Sequence, residues 1–213
     1  TIEIETGEVE QITDDRYTQR DPAWSPDGKQ IAFTTEYGPG TDMDRLIFSD
    51  YRIAVLELES GEYTVMPNSF GNNISPQWSP DGSKLAYVSD RTGIANIFYH
   101  DYDQGRDYQV SDILTGISGI TENSPCLSWS SGSGRLAFSA FFNTGWDIYV
   151  VNNPERMAKE WLPDTTTVFN HSTVHLNASE HRVNEIRNLL RPTNGDNTSQ
   201  PGSDSPLEVE VPA

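Results

Sequence analysis

The ten residues at 24–33, WSPDGKQIAF, return as WSPDGSKLAY at 78–87 and in a degraded form as WSSGSGRLAF at 129–138. An internal repeat constrains a fold more than composition does. Each copy must adopt the same local structure, and no single copy can bury its own apolar face. The chemistry inside the phrase says what that structure is. Pro80 presets φ for the second position of a type I turn, Asp81 suits the third, and Gly82 accepts the left-handed φ that returns the chain to a strand. This is a hairpin turn with a glycine bulge.

Around the turn the second copy reads as four short strands, at 76–78, 84–88, 94–99 and 107–110, separated by turn signals at 90–93 and 103–106. Residues 84–88, KLAYV, are apolar on both faces, as in a sheet covered on both sides. The first copy predicts strands at 21–25, 30–35, 52–59 and 63–66, interrupted by an insertion at 37–51. The third predicts 126–130, 135–142 and 147–151. Residues 3–5 and 9–13 read as the last hairpin of a preceding sheet. Trp24, Trp78 and Trp129 are spaced 54 and 51 residues apart. A four-stranded propeller blade takes about 40–45 residues. The insertion at 37–51 and a connection at 111–123 account for the excess. The expectation is an all-β chain, a partial β-propeller of four-stranded antiparallel blades. Residues 1–152 form the arc, a C-terminal extension with short helices covers 153–191, and a disordered linker or tail covers 192–213.

The motifs Pro-x-Trp-Ser-Pro-Asp-Gly, Lys-x-Ile/Leu-Ala-Phe/Tyr and Ser-Asp-Arg-x-Gly at 22–33 and 76–93, and in outline at 124–149, resemble the PD40 (WD40-like) repeat of TolB-type propellers. The resemblance covers about two-thirds of the chain. It implies a propeller, a periplasmic or outer-envelope location, and protein partners that belong to a membrane-attached assembly. The same repeat also serves S9-type peptidases and ligand-binding propellers, so a propeller portion of a larger enzyme and a ligand- or cation-binding propeller stand as alternatives.

Propellers close with about 4–8 blades. Half a blade and about three more leave sheet faces and edges bare, an aggregation liability. Missing blades of a longer chain, a partner, or a second copy are the three ways to cover them, and the opening in mid-blade favours the first.

Composition narrows the partners. The formal net charge of −18 repels phosphate backbones and anionic lipid, which argues against nucleic acid and direct membrane docking. No apolar run approaches the roughly 18–20 residues of a membrane span. Cys126 is the sole cysteine, so no intramolecular disulfide forms, and it reads as a small buried hydrophobe.

A search for chemistry returns little. Gly116-Ile117-Ser118-Gly119 lacks the spacing of a nucleophile elbow. His171 and His175 have the i, i+4 spacing of a helical metal pair, with His181 further on, but Ser172 stands where a general-base Glu is needed. Asp101, Asp103, Gly105 and Asp107 imitate a calcium loop with Arg106 at the glycine position, and read better as a turn. Thr41, Asp42, Met43 and Asp44, with Asp50, read as a solvated acidic loop. Asn170, Asn177 and Asn197 begin chance glycosylation sequons. No catalytic residue, metal or cofactor is implied, and the chain is read as non-enzymatic.

The candidate contacts are therefore on the insertions: Tyr37, Met43, Arg45, Leu46, Phe48 and Tyr51 in the first, and Ile113, Leu114 and Ile117 in the second. Aromatic anchors in exposed loops favour protein contacts. In the C-terminal third, 153–162 predicts a short helix with Pro154 near its start. Residues 165–169 predict an outer strand, and 179–190 a helix capped by Ser179 with Val183, Ile186, Leu189 and Leu190 on one face. Residues 207–211 alternate like a strand.

Overall fold

A computed structural model of the chain describes residues 5–121 and 124–163. The expectations for 165–169, 179–190, 192–213, His171, His175, His181 and the three sequons fall outside these residues. Three antiparallel sheets form in chain order. The first holds β1 (Gln19–Trp24), β2 (Gln30–Thr35), β3 (Arg52–Glu57) and β4 (Tyr63–Val65). The second holds β5 (Asn73–Trp78), β6 (Lys84–Ser89), β7 (Asn96–Asp101) and β8 (Arg106–Gln109). The third holds β9 (Leu127–Trp129), β10 (Leu136–Phe142) and β11 (Gly145–Val151). Each sheet is a meander in which consecutive strands pair, and successive sheets pack face to face, as blades do.

The repeated phrase forms the hairpin its chemistry requires. In the second blade the Ser79 hydroxyl donates to Asp81 Oδ1 at 2.6 Å, and the Ser83 N–H donates to the same oxygen at 3.1 Å. The Lys84 N–H reaches back to Ser79 Oγ at 2.9 Å. Ser25, Asp27, Lys29 and Gln30 repeat these three bonds in the first blade. Gly28 and Gly82 stand at φ +71° and +74°, a region open to glycine. The degraded copy has no carboxylate. Ser130 Oγ accepts from the Ser133 N–H instead, and the turn closes one residue later, from the Gly134 N–H to the Ser130 carbonyl.

The faces that meet are set by the two-residue period of the strands. Ala23, Ala32, Ile53, Val55 and Met66 of the first blade bury against Trp78, Leu85, Tyr87 and Phe98 of the second. Ala86, Val88, Ile97 and Tyr99 of the second bury with Trp129, Leu136 and Phe138 of the third. Cys126 joins that core, its thiol held above its ordinary range chiefly by burial.

The Ser-Asp-Arg-x-Gly motif proves to be an internal brace. The Arg91 guanidinium, almost wholly buried, pairs with Asp107 at 3.3 Å and donates to Tyr87 Oη at 2.8 Å, Asn73 Oδ1 at 3.1 Å and Ser89 Oγ at 3.0 Å. His100 Nδ1 lies 2.8 Å from the other Asp107 oxygen. Phe98 and Trp161 lie against the guanidinium, with ring centroids 4.7 and 4.6 Å away. A buried charge needs this degree of pairing to persist.

Two expectations are corrected. Residues 153–162 do not form one helix. The Asn153 side chain caps a single turn, α1 (Pro154–Met157), and Ala158 is extended. The chain then adds β12 (Lys159–Glu160) to the edge of β8. The Arg106–Glu160 ion pair at 3.1 Å and the Trp161 N–H bond to the Asp107 carbonyl at 2.8 Å hold it there. Four helical residues cannot offset nucleation, while pairing and Trp161 burial reward the extended form. The second sheet thus extends past the expected boundary at 152. Residues 10–13 likewise do not form a strand, while Val9 stands in a single β-bridge and residues 3–4 of the expected hairpin lie outside the described residues. Ile12 packs over Phe33, Leu56 and Tyr63 on the outer side of the first blade.

Candidate interaction surface

Alternation of strand direction puts the connections at two ends. The WSPDG turns and the turns after β3 and β7 lie at one. At the other lie the β2–β3 insertion, the β4–β5 and β8–β9 links, and the β6–β7 and β10–β11 turns. Exposed large apolar side chains gather at this second end: Leu46, Ile47, Phe48, Phe70, Leu114, Ile120 and Phe142. Trp24 and Tyr102 are exposed at the turn end. Isolated exposed apolar residues are ordinary, whereas a concentration at one end marks a contact surface.

The insertion is a built structure. Asp42 and Ile47 exchange two backbone bonds at 2.8 and 2.9 Å, closing a miniature hairpin. Asp42 Oδ1 accepts from the Asp44 and Arg45 N–H groups, and Arg45 returns an ion pair to Asp42 at 3.5 Å. At its base the Arg52 guanidinium donates to the carbonyls of Tyr37 (3.4 Å) and Pro39 (3.2 Å) and to Ser49 Oγ (3.2 Å). Leu46 sits at φ +54° with its side chain 71% exposed. A bulky apolar residue is uncommon at a left-handed turn position where Gly or Asn is cheaper. The tip therefore displays Leu46, Ile47 and Phe48 on a rigid support.

The candidate residues divide into three groups. Leu46, Phe48 and Arg45 stand on the exposed tip, with Met43 half-buried beside them. Tyr37 and Tyr51 serve as joints. Tyr37 packs edge-on to Tyr17 at 4.9 Å and Tyr63 at 5.5 Å. The Tyr51 carbonyl accepts from the Asn73 N–H of the second blade, and its ring lies under Arg20. In the second connection Leu114 is exposed, but Ile113 and Ile117 are buried between the second and third blades. Asn96 Oδ1 accepts from the Ile113 N–H at 2.7 Å, and the Ile117 N–H donates to the Ala95 carbonyl at 2.8 Å. These two isoleucines fill the wedge between diverging sheets and are not available as contacts. Ile47 and Ile120 lie within the two insertions, and Phe142, on the β10–β11 turn outside both, adds to the surface.

The apparent calcium loop is spent internally. Asp101 accepts from the Gln104 N–H and side chain, and Asp107 is engaged by Arg91 and His100. Among the described residues no three His, Cys, Asp or Glu side chains converge on a metal position. No described helix is long and apolar enough to cross a membrane.

Face-packed four-stranded meanders with this inner-strand Trp define a β-propeller arc. The PD40 family, the TolB β-propeller domain, matches residues 1–128, and the chain belongs to it. A TolB homologue of Chlorobium luteolum is 29% identical over 132 residues, covering 47% of this chain and 30% of that protein. The Tol-Pal system protein TolB of Xanthomonas campestris is 36% identical over 92 residues, covering 42% of this chain and 19% of that protein. The crystal structure of TolB from Acinetobacter baumannii superposes with a TM-score of 0.56 at 19% identity, covering 75% of this chain and 36% of that one. The chain spans less than a third of the length of these curated relatives.

Proposed function

We propose that the chain is a non-catalytic TolB-type propeller module that binds protein through its loop end and braces a membrane-attached assembly on the periplasmic side. The observation that carries this reading is the insertion tip, where Leu46, Ile47 and Phe48 are held exposed by the Arg52 staple and the Asp42 cap. Stiff apolar anchors lower the ordering cost of association. Asp42 pairs with Arg45 at 3.5 Å and Asp44 with Arg16 at 2.8 Å, so the apolar side chains rather than a net charge supply the contact. The periplasmic setting and the membrane-attached partner rest on the Tol-Pal relative.

A photo-crosslinking residue at 46 or 48, expressed in the envelope of a Tol-Pal-bearing bacterium, tests the reading. The same protein of a membrane-attached assembly should be captured from both sites, should be lost with Phe48→Asp, and should be missed from position 104 at the turn end. Equal capture from position 104, or none from the tip, overturns it.

A further inference from the structure

At the turn end, the two blade junctions share a seat that is filled in one and open in the other. At the second junction α1 fills it. Pro154 is buried, and Met157 and Ala158 pack on the core that holds Tyr99 and Val110. Lys84 faces Asp101 across the β6–β7 pair, and its Nζ reaches Glu155 of α1 at 3.4 Å. The first junction repeats one wall of this seat. Val55 pairs with Thr64 as Tyr99 pairs with Tyr108, and the Met66 and Val110 N–H groups make the same bond, to the Ile53 and Ile97 carbonyls. Gln30 faces Glu57 as Lys84 faces Asp101. The other wall differs. β11 runs on into α1, whereas β7 runs into a turn that stacks Tyr102 on Trp78, ring centroids 5.7 Å apart. Tyr102 fills only part of the space. A cleft of about 440 Å³ stays open among the described residues, lined by buried Val55, Met66 and Trp78 and by the more exposed Gln30, Glu57 and Tyr102. That volume is in the range of ligand sites, ~300–1,000 Å³.

The charge at the rim changes between the two seats. Lys84 takes a glutamate from α1, whereas Gln30 stands in its place at the first junction. Glu57 there accepts a bond from the Gln30 amide and has no cationic partner among the described residues. We infer that this cleft takes a short apolar turn of a partner polypeptide that carries one lysine or arginine. The apolar part fills the gap beside Val55 and Met66, as Pro154 and Met157 fill the other, and the cation meets Glu57, as Glu155 meets Lys84. Complementary charge of this kind selects between segments of equal shape. The site is separate from the loop end. It is also separate from Gln104, whose side chain bonds Asp101 and Tyr108 on the side of the second blade that faces the third.

Two peptides with blocked ends test this, one copying residues 153–158 and one the same with Glu155→Lys. Each is titrated into the 213-residue chain and followed by backbone amide chemical shifts. The lysine peptide should give saturable shifts at Glu57, Thr64 and Tyr102 and leave Leu46 and Phe48 at the loop end unmoved. It should bind about fivefold or more tighter than the glutamate peptide, since an attraction replaces a repulsion at a partly solvated pair. Glu57→Lys, at an exposed position, should keep the circular dichroism of the wild type and invert that preference. Absence of saturable shifts overturns the inference, and is the outcome if other residues of this chain cover the cleft. Equal binding of the two peptides overturns it, and so does a preference that Glu57→Lys leaves unchanged. Shifts centred on Lys84 and Val110 overturn it too, because the peptide would then be displacing α1 from the second junction.

Discussion

The indole Nε1 of Trp78 donates to the carbonyl of Ala23 at 3.2 Å, across the gap between the second blade and the first. The bond is buried and joins residues 55 positions apart. It makes Trp78 a joint as well as a core residue, since ring and polar atom both find the neighbouring blade, whereas Trp129 donates to the Gly134 carbonyl of its own blade at 3.1 Å. Trp78→Ala should lower unfolding stability by about 3–5 kcal/mol, the usual loss for a buried large aromatic. Trp78→Phe removes the bond and part of the ring and should cost distinctly less. Urea unfolding midpoints at constant slope measure both; equal losses would show that the bond and the extra ring area contribute nothing.

The Arg91–Asp107 pair predicts strong non-additivity. Both side chains are about 1% exposed, and each is the other's main compensation. Arg91→Met leaves Asp107 with His100 and Tyr87, and Asp107→Ala leaves a buried guanidinium between Phe98 and Trp161. Each should cost about 3–5 kcal/mol, whereas the double variant should cost clearly less than the sum. A double-mutant cycle in urea reads this directly, and strict additivity would refute the brace.

How much of this was legible in the sequence follows from which forces act locally. Turn chemistry is local, so Ser79-Pro80-Asp81-Gly82 placed its hairpin, and the strand runs 30–35 and 84–88 fell close to where β2 and β6 lie. Burial between sheets is not local. Ile113 and Ile117 sit in a connection rich in Gly, Ser and Thr and look like surface until the divergence of two blades creates a wedge to fill. Lys159 and Glu160 have helix-forming side chains, and only the free edge of β8 and the Arg91 platform for Trp161 make them a strand. Arg91 itself was visible as a motif letter, but its carboxylate partner lies 16 residues away and on another strand.

Arg52 should control the insertion without controlling the fold. Its three acceptors all lie on 37–49, and its side chain is in part solvated. Arg52→Ala should speed backbone hydrogen exchange of Asp42 and Ile47 by an order of magnitude or more. The global stability change should stay within about 1 kcal/mol, as expected for a partly exposed position. Binding through Leu46 and Phe48 should weaken with it, because the tip then orders only on association. Unchanged exchange at Asp42 and Ile47 would mean that the hairpin holds itself.

The Asp81 turn gives a pH signature with a definite sign. The Ser79 hydroxyl and then the Ser83 N–H stabilise the Asp81 carboxylate and lower its pKa to about 2, from an ordinary 3.8. A depressed folded value contributes stability that is fully present above the unfolded pKa and is lost as pH falls through the folded one. The window is therefore about pH 4 down to about pH 2. Asp27 is shifted in the same direction by Ser25 and then Lys29, whereas the third blade carries Ser133 at the turn and has no carboxylate to titrate there. Asp81→Ala should accordingly be less stable than wild type at pH 5, with the gap shrinking as pH falls from 4 to 2. Urea midpoints across that range measure the gap. A gap that stays constant to pH 2 would mean that Asp81 acts through shape alone, and one that widens would reverse the assignment.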